Sequence, residues 1–261
     1  MTGGDGSGAL LHELVAAADH GEAVVLATVV DTCKSTPRHV GTKMLVYGDG
    51  HCSGSIGGGP IEARIAADAL EALSAGSGRL VHYDLQELGM CTGEMTVYLE
   101  PQLSPPTVLV IGCGHVGCAV VELAHWLGFH VVALDDRVEL VTEELLPDAD
   151  VLVPGPIDEA LRRIEITDRT HVVLTTRSTD VDVEALPVLL AGPARSIGAL
   201  GSRRRWEETR AAAVARGVSE QELDRVTTPI GLDIGAQTPH ELALAILGEI
   251  VALGSGRAPR T

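Results

Sequence analysis

At 261 residues the chain has room for one large α/β domain or two modest ones. Its composition, 45% hydrophobic but 2% aromatic, requires cores packed from Ala, Val, Leu and Ile, as in buried parallel sheets. The formal net charge of −17 argues against nucleic acid, which needs a basic stripe, but leaves room for a local anion site of arginines and backbone N–H groups.

Other broad classes drop out as well. Met1 to Gly8 lacks the basic start and apolar core of a signal peptide, and no apolar run reaches the roughly 18 residues of a membrane span. The five cysteines (Cys33, Cys52, Cys91, Cys113 and Cys118) are odd in number and irregular in spacing. Reduced thiols in a cytoplasmic protein are expected, with no membrane contact and no structural metal.

In chain order, Leu10 to Ala18 reads as a short apolar helix and Glu22 to Val30 as a buried strand. A loop, Ser35-Thr36-Pro37-Arg38, precedes a second strand, Lys43 to Tyr47, which closes on the hairpin residues Gly48-Asp49-Gly50. The glycine-dense turn Gly54 to Gly59 opens an Ala-rich helix, Pro60 to Leu73, with proline in its first turn. Two further strands, Arg79 to Leu85 and Met95 to Glu100, complete a small α+β domain over residues 1–100. Three prolines within Pro101 to Pro106 predict a linker over 101–106.

Residues 107–261 alternate strand and helix. Apolar strands are predicted at Thr107–Ile111, His130–Leu134, Asp150–Val153, His171–Thr175 and Ser196–Leu200, with helices starting near Val116, Glu139, Ile157, Val183 and Arg203. A last helix spans Pro239 to Leu253. The fold class expected is therefore α/β, a small α+β domain followed by a Rossmann-like, doubly wound parallel sheet with right-handed crossovers.

Gly112-Cys113-Gly114-His115-Val116-Gly117 satisfies G-x-G-x-x-G between a strand and a helix. Gly112 permits the tight turn, Gly114 lets a phosphate approach the backbone, and Gly117 lets helix and strand pack closely. The helix start offers free N–H groups to an anion, and His115 points toward that pocket. Asp135 stands where a ribose-binding acid would, although Asp136 and Arg137 beside it allow a local salt bridge instead. Cys113 and Cys118 read as small residues packed around the turn.

Gly57, Gly58 and Gly59 carry an entropic cost that makes sense where the backbone must come close to something, or where a turn packs tightly. Arg38 offers a donor fork that could converge there. Flanking glycines expose Cys91, which reads as a nucleophile, sulfur carrier or soft-metal ligand, or else as a small buried hydrophobe. Arg203, Arg204 and Arg205 follow Ser202 at a helix start, where cations oppose the dipole unless an anion is held. Asp233 is the polar residue of the loop before the last helix.

Taken together, Ser35 to Arg38 with Gly41 and Met44, Gly54 to Glu62, Leu88 to Pro101, Gly112 to Gly117, Asp135 to Arg137, Gly198 to Arg203, and Pro229 to Gly235 with Thr238-Pro239 form an ordered series. That series resembles the XdhC/CoxI family of accessory proteins for molybdenum hydroxylases such as xanthine dehydrogenase. The resemblance implies a chaperone without turnover of its own. It would bind molybdenum cofactor, a phosphate-bearing pterin in plain or nucleotide-extended form, support its sulfuration by a cysteine desulfurase, and deliver it to an apo molybdenum hydroxylase. Residues implied in holding the cofactor are Arg38, Gly57, Gly58, Gly59, Glu62, Cys91, Gly112, Gly114, His115, Gly117, Asp135, Arg137, Ser202 and Arg203. Pro60 stands where the family usually has cysteine, so any thiol role falls on Cys91. The composition is compatible with a homodimer. Two rival readings are an NAD(P)-dependent oxidoreductase, which would need a proton donor that no His or Lys constellation supplies, and a protein–protein adaptor on a Rossmann scaffold.

Overall fold

A computed structural model describes residues 5–19 and 21–254. The chain divides into two compact units, the first ending at Ser104 and the second beginning at Pro105. No helix among the described residues is long and apolar enough to cross a membrane.

The N-terminal unit contains α1 (Asp5–Asp19), β1 (Val24–Cys33), β2 (Lys43–Tyr47), β3 (Cys52–Gly54), α2 (Pro60–Ala75), β4 (Arg79–Asp84) and β5 (Glu94–Gln102). Its antiparallel sheet has the order β3-β2-β1-β5-β4. Side chains alternate along β1: Val25, Ala27 and Val29 pack with Ile61, Ile65 and Ala69 of α2, whereas Val24 and Leu26 pack with Leu10 and Ala17 of α1. Both faces of β1 are covered, which is why its sequence reads as one apolar run. Strand β3, only three residues long, gives no periodic signal.

The predicted linker is shorter than expected, because β5 continues through Pro101 and Gln102, paired with Val25 and Val24. Proline is tolerated here because β4 begins opposite Leu99, leaving the end of β5 with β1 as its only neighbour in register.

The C-terminal unit contains β6 (Thr107–Ile111), α3 (His115–Trp126), β7 (His130–Asp135), β8 (Val151–Pro154), α4 (Ile157–Leu161), β9 (Thr170–Leu174), α5 (Thr179–Ala191), β10 (Ser196–Ala199), α6 (Arg203–Ala215), α7 (Glu220–Leu223), β11 (Val226–Thr227) and α8 (Pro239–Gly254). The parallel sheet has the order β11-β10-β9-β6-β7-β8, with the switch point between β6 and β9. This is the doubly wound dinucleotide-binding order. Val108 and Val110 face α3 and α8, and Leu109 and Ile111 face α4 and α5. The helix expected near Glu139 is only a 3-10 turn, Val138–Leu140. The chain there, from 141 to 150, crosses to the edge strand β8 through turns and includes Pro147, which cannot donate to a helix ladder.

At the opposite end of the sheet, His171 is buried, its Nδ1 lying 2.8 Å from Ser196 Oγ and its ring edge-on to Phe129. Burial, aided by Arg195 and Arg169, pushes its pKa down to about 4 from 6.5. The unfolded chain binds this proton more readily, so the contribution is complete above pH 6.5 and is lost as pH falls through about 4. Urea unfolding should show wild type losing roughly 2–3 kcal/mol over that interval relative to His171→Gln. Parallel profiles for the two proteins would refute this.

Candidate functional site

Three loops of the N-terminal unit converge. The Cys91 thiol donates to the Ser35 carbonyl at 2.9 Å, joining the β4–β5 loop to the loop after β1. Gly93 is required there, since a Cβ would lie 1.9 Å from Ser35 O. The preceding Lys34 has φ +58, a backbone conformation that only a constrained segment imposes on lysine, and pairs with Glu94 at 2.9 Å. Pro37 packs on the glycine turn so closely that a Cβ at Gly57 would meet its ring at 2.7 Å. Exposed Arg38 reaches Ser55 Oγ at 3.4 Å. The loop from Ser35 to Arg38 thus touches both Cys91 and the glycine turn that Glu62 closes.

The glycine turn itself is a nest whose donors meet on a single atom. Glu62 Oε1 accepts from Ser55 Oγ at 2.7 Å and from the N–H groups of Ile56, Gly57 and Gly58 at 3.0, 3.2 and 2.8 Å. Burial pushes the Glu62 carboxyl up, but these four donors outweigh it and hold the pKa below the usual carboxylate value. The expected open anion cradle is therefore filled by the chain's own carboxylate. What stays open is the flank: at Gly58 and Gly59, with φ +76 and +61, a Cβ would meet nothing within 4 Å.

In the C-terminal unit the Gly112 to Gly117 turn sits at the switch point. Gly112 has φ +106, and its Cβ would lie 2.6 Å from Thr175 O. Gly114 is extended, with φ −77, and its Cβ would meet nothing within 4 Å. The space beside Gly114 is therefore not demanded by packing, and His115 stands exposed at the start of α3. Cys113 is buried, and burial pushes its thiol up to about 12, so it is inert packing.

Asp135 does not present a free carboxylate to a ribose. It is 2% exposed, and its oxygens accept from the Cys113 N–H at 2.7 Å and from Arg137 N, Nε and Nη2 at 2.9, 3.0 and 2.8 Å. It ties the glycine turn to β7, the local salt-bridge role that Arg137 allows. The neighbouring Asp136 pairs with Arg177, which holds its carboxyl down at about 2.

Ser202 caps α6 by accepting from the Arg205 N–H at 3.2 Å, and Arg203 is exposed. The arginine that reaches inward is Arg205, bound to Thr176 O at 2.9 Å and to Asp182 Oδ2 at 2.7 Å. Asp182, which also accepts from Thr176 Oγ1, is raised by burial above its ordinary value. Ser55, Thr176, Arg177 and Asp182 are the participants that motif reading missed, whereas Arg205 is one of the three arginines read at the helix start. For Arg177 a signal existed, as it lies just beyond the strand flanking the switch point. Asp233 is exposed on its loop.

A model of the XdhC Rossmann domain matches residues 108–250, and a model of the XdhC and CoxI family matches residues 17–84. The uncharacterized protein YqeB of Escherichia coli is 34% identical over 87% of this chain, which spans only 42% of that protein's length. The molybdenum cofactor insertion chaperone PaoD of Escherichia coli is 24% identical, over 94% of this chain and 87% of its own. The crystal structure of a xanthine dehydrogenase from Bacillus halodurans superposes with a TM-score of 0.52 at 23% identity, over 95% of this chain and 96% of that one. The last match shows a common fold.

Proposed function

Since the chain belongs to the XdhC and CoxI family, we propose that it is a maturation factor that binds molybdenum cofactor and passes it to an apo molybdenum hydroxylase of the xanthine dehydrogenase kind. In this reading a cysteine desulfurase supplies the sulfur installed on the bound cofactor, and the protein works in the cytoplasm. The observation that carries the proposal is that one loop, Ser35 to Arg38, meets both the Cys91 thiol and the triple-glycine turn. The name of PaoD, a relative along nearly the whole chain, points the same way.

The residues suit this cargo. A thiol is a soft ligand for a thiolate-rich metal centre. A guanidinium matches phosphate with a fork of donors. The unobstructed backbone at Gly58 and Gly59 leaves room for a flat ring. Glu62 already occupies the nest, so Arg38 is the group left to meet an anion there. In the C-terminal unit, Gly114 and the first N–H groups of α3 supply a second place for phosphate. The NAD(P) oxidoreductase reading lacks its usual ribose acid, because Asp135 is saturated by Cys113 and Arg137.

The test is to mix the full chain with extracted molybdenum cofactor, separate it by gel filtration, and measure co-eluting pterin by fluorescence after oxidation. Wild type should retain the pterin. Arg38→Ala and Cys91→Ser should each retain about tenfold less at limiting cofactor, the loss of one strong contact. No retention by wild type, or equal retention by all three, would reject the proposal.

A further inference from the structure

A shallow, open pocket of about 400 Å³ lies beyond the ends of β9 and β10. Arg177, Arg204 and Arg205 bring three guanidinium groups to its wall and Glu208 one carboxylate, while Ser178, Thr179 and Ser202 bring hydroxyls. With this strand order, ligands span the crevice at the switch point, and the β9–β10 side receives the second half of a dinucleotide. A nicotinamide ring needs apolar contact, and no apolar side chain lines this cavity.

Two of the three arginines are fixed from behind. Arg177 is clamped by Asp136, with Nη2 to Oδ2 at 2.7 Å, and Arg205 is anchored by Asp182 and Thr176. Neither aspartate belongs to the wall. Arg204 is 88% exposed and pairs with Glu208 one helical turn on, at 3.1 Å. Such an exposed pair is weak and yields readily to a better partner. Moreover, α6 begins Arg203-Arg204-Arg205 with no acid in its first turn, placing cations at the positive end of a helix. An anion held among them turns that repulsion into attraction. In a chain of net charge −17, the wall itself carries three cations and one acid, two of the cations being balanced from behind by Asp136 and Asp182.

We infer that this cavity is an anion subsite for a small phosphate-bearing molecule, a pyrophosphate or a phosphate ester. Arg177 and Arg205 present a preset donor frame, and Arg204 closes on the ligand by leaving Glu208. The inference does not depend on pterin binding at the Cys91 cluster, which lies in the other unit.

Titration calorimetry of the full chain with sodium pyrophosphate at low ionic strength tests it. Wild type should bind one equivalent. Arg204→Ala should weaken binding about tenfold, and Glu208→Gln, which removes the competing carboxylate, should tighten it several-fold. Both changes lie on the exposed face of α6, so folding is preserved, as circular dichroism would verify. Arg162→Ala, which removes an exposed arginine paired with Asp158, serves as a charge control and should bind like wild type. The inference is overturned if wild type does not bind pyrophosphate. It is equally overturned if Arg204→Ala and Glu208→Gln leave the affinity unchanged, or if Arg162→Ala weakens it as much as Arg204→Ala does.

Discussion

Gly117→Ala is expected to prevent the C-terminal unit from folding, while Gly114→Ala, three residues earlier in the same motif, leaves it intact. A Cβ on Gly117 would lie 1.9 Å from Gly112 O and 3.1 Å from Thr175 Oγ1. Neither neighbour can retreat. Gly112 donates to Leu134 O at 2.8 Å, its carbonyl accepts from Thr175 Oγ1 at 2.6 Å, and its own Cα faces Thr175 O at the switch point. Relief would require α3 to move off β6, opening the face where Val108 and Val110 meet Val120 and Ala124. Overpacking with no escape route of this kind costs more than about 4 kcal/mol. At Gly114 the backbone is extended and the space is open, so alanine there should change stability by less than about 0.5 kcal/mol. Urea unfolding followed by circular dichroism decides the matter. A Gly117→Ala protein that melts like wild type would mean that the helix–strand contact is not what the glycine serves. The pair also separates packing from ligand approach: any loss of phosphate affinity in Gly114→Ala, with the fold preserved, reports on the ligand.

This contrast shows why the architecture was legible. Buried parallel strands such as β6 and β9 are short runs of Val, Ile and Leu, and the glycine motif marks a turn where a Cβ is sterically excluded at Gly112 and Gly117. Elements held by tertiary context gave no comparable signal. Strand β3 is three residues borrowed by the β2 edge, and the expected helix at Glu139 yields to a turn because the chain must cross to β8. Arg38 could be brought to the triple glycine from residue types, but the Cys91 loop reads separately in sequence, and its thiol is partly buried against the core rather than exposed. That Glu62 fills the nest could not be read in advance, because its carboxylate returns to donors four to seven positions earlier only once α2 is formed. Arg205 rather than Arg203 turns inward for a similar reason: the helical phase of α6 decides it, and three consecutive arginines look alike in sequence.

Helical phase and register also decide what Asp135 does, and Asp135→Ala exposes the consequence. As a ribose-binding acid it would stand in solvent, and its loss would cost little stability. Here it is buried and accepts one hydrogen bond from the Cys113 N–H and three from Arg137. Alanine leaves a buried amide without an acceptor and a half-buried guanidinium without its counter-charge, which costs roughly 3–5 kcal/mol. Asp135→Asn keeps one acceptor oxygen and should recover part of that loss, since the Cys113 amide can still be satisfied while the ionic component is gone. Differential scanning calorimetry should rank the three proteins in that order. Adding NAD should shift the wild-type melting temperature no further than pyrophosphate alone does, because a ligand stabilises a fold only through affinity for it. A stability loss under about 1 kcal/mol in Asp135→Ala, together with nicotinamide-dependent stabilisation of wild type, would reinstate the dehydrogenase reading. The opposite result leaves a Rossmann turn whose acid has been spent on holding the turn itself. Recognition then falls to other groups at the sheet's C-terminal edge: the open backbone at Gly114, and the arginines Arg177, Arg204 and Arg205 that follow β9 and β10.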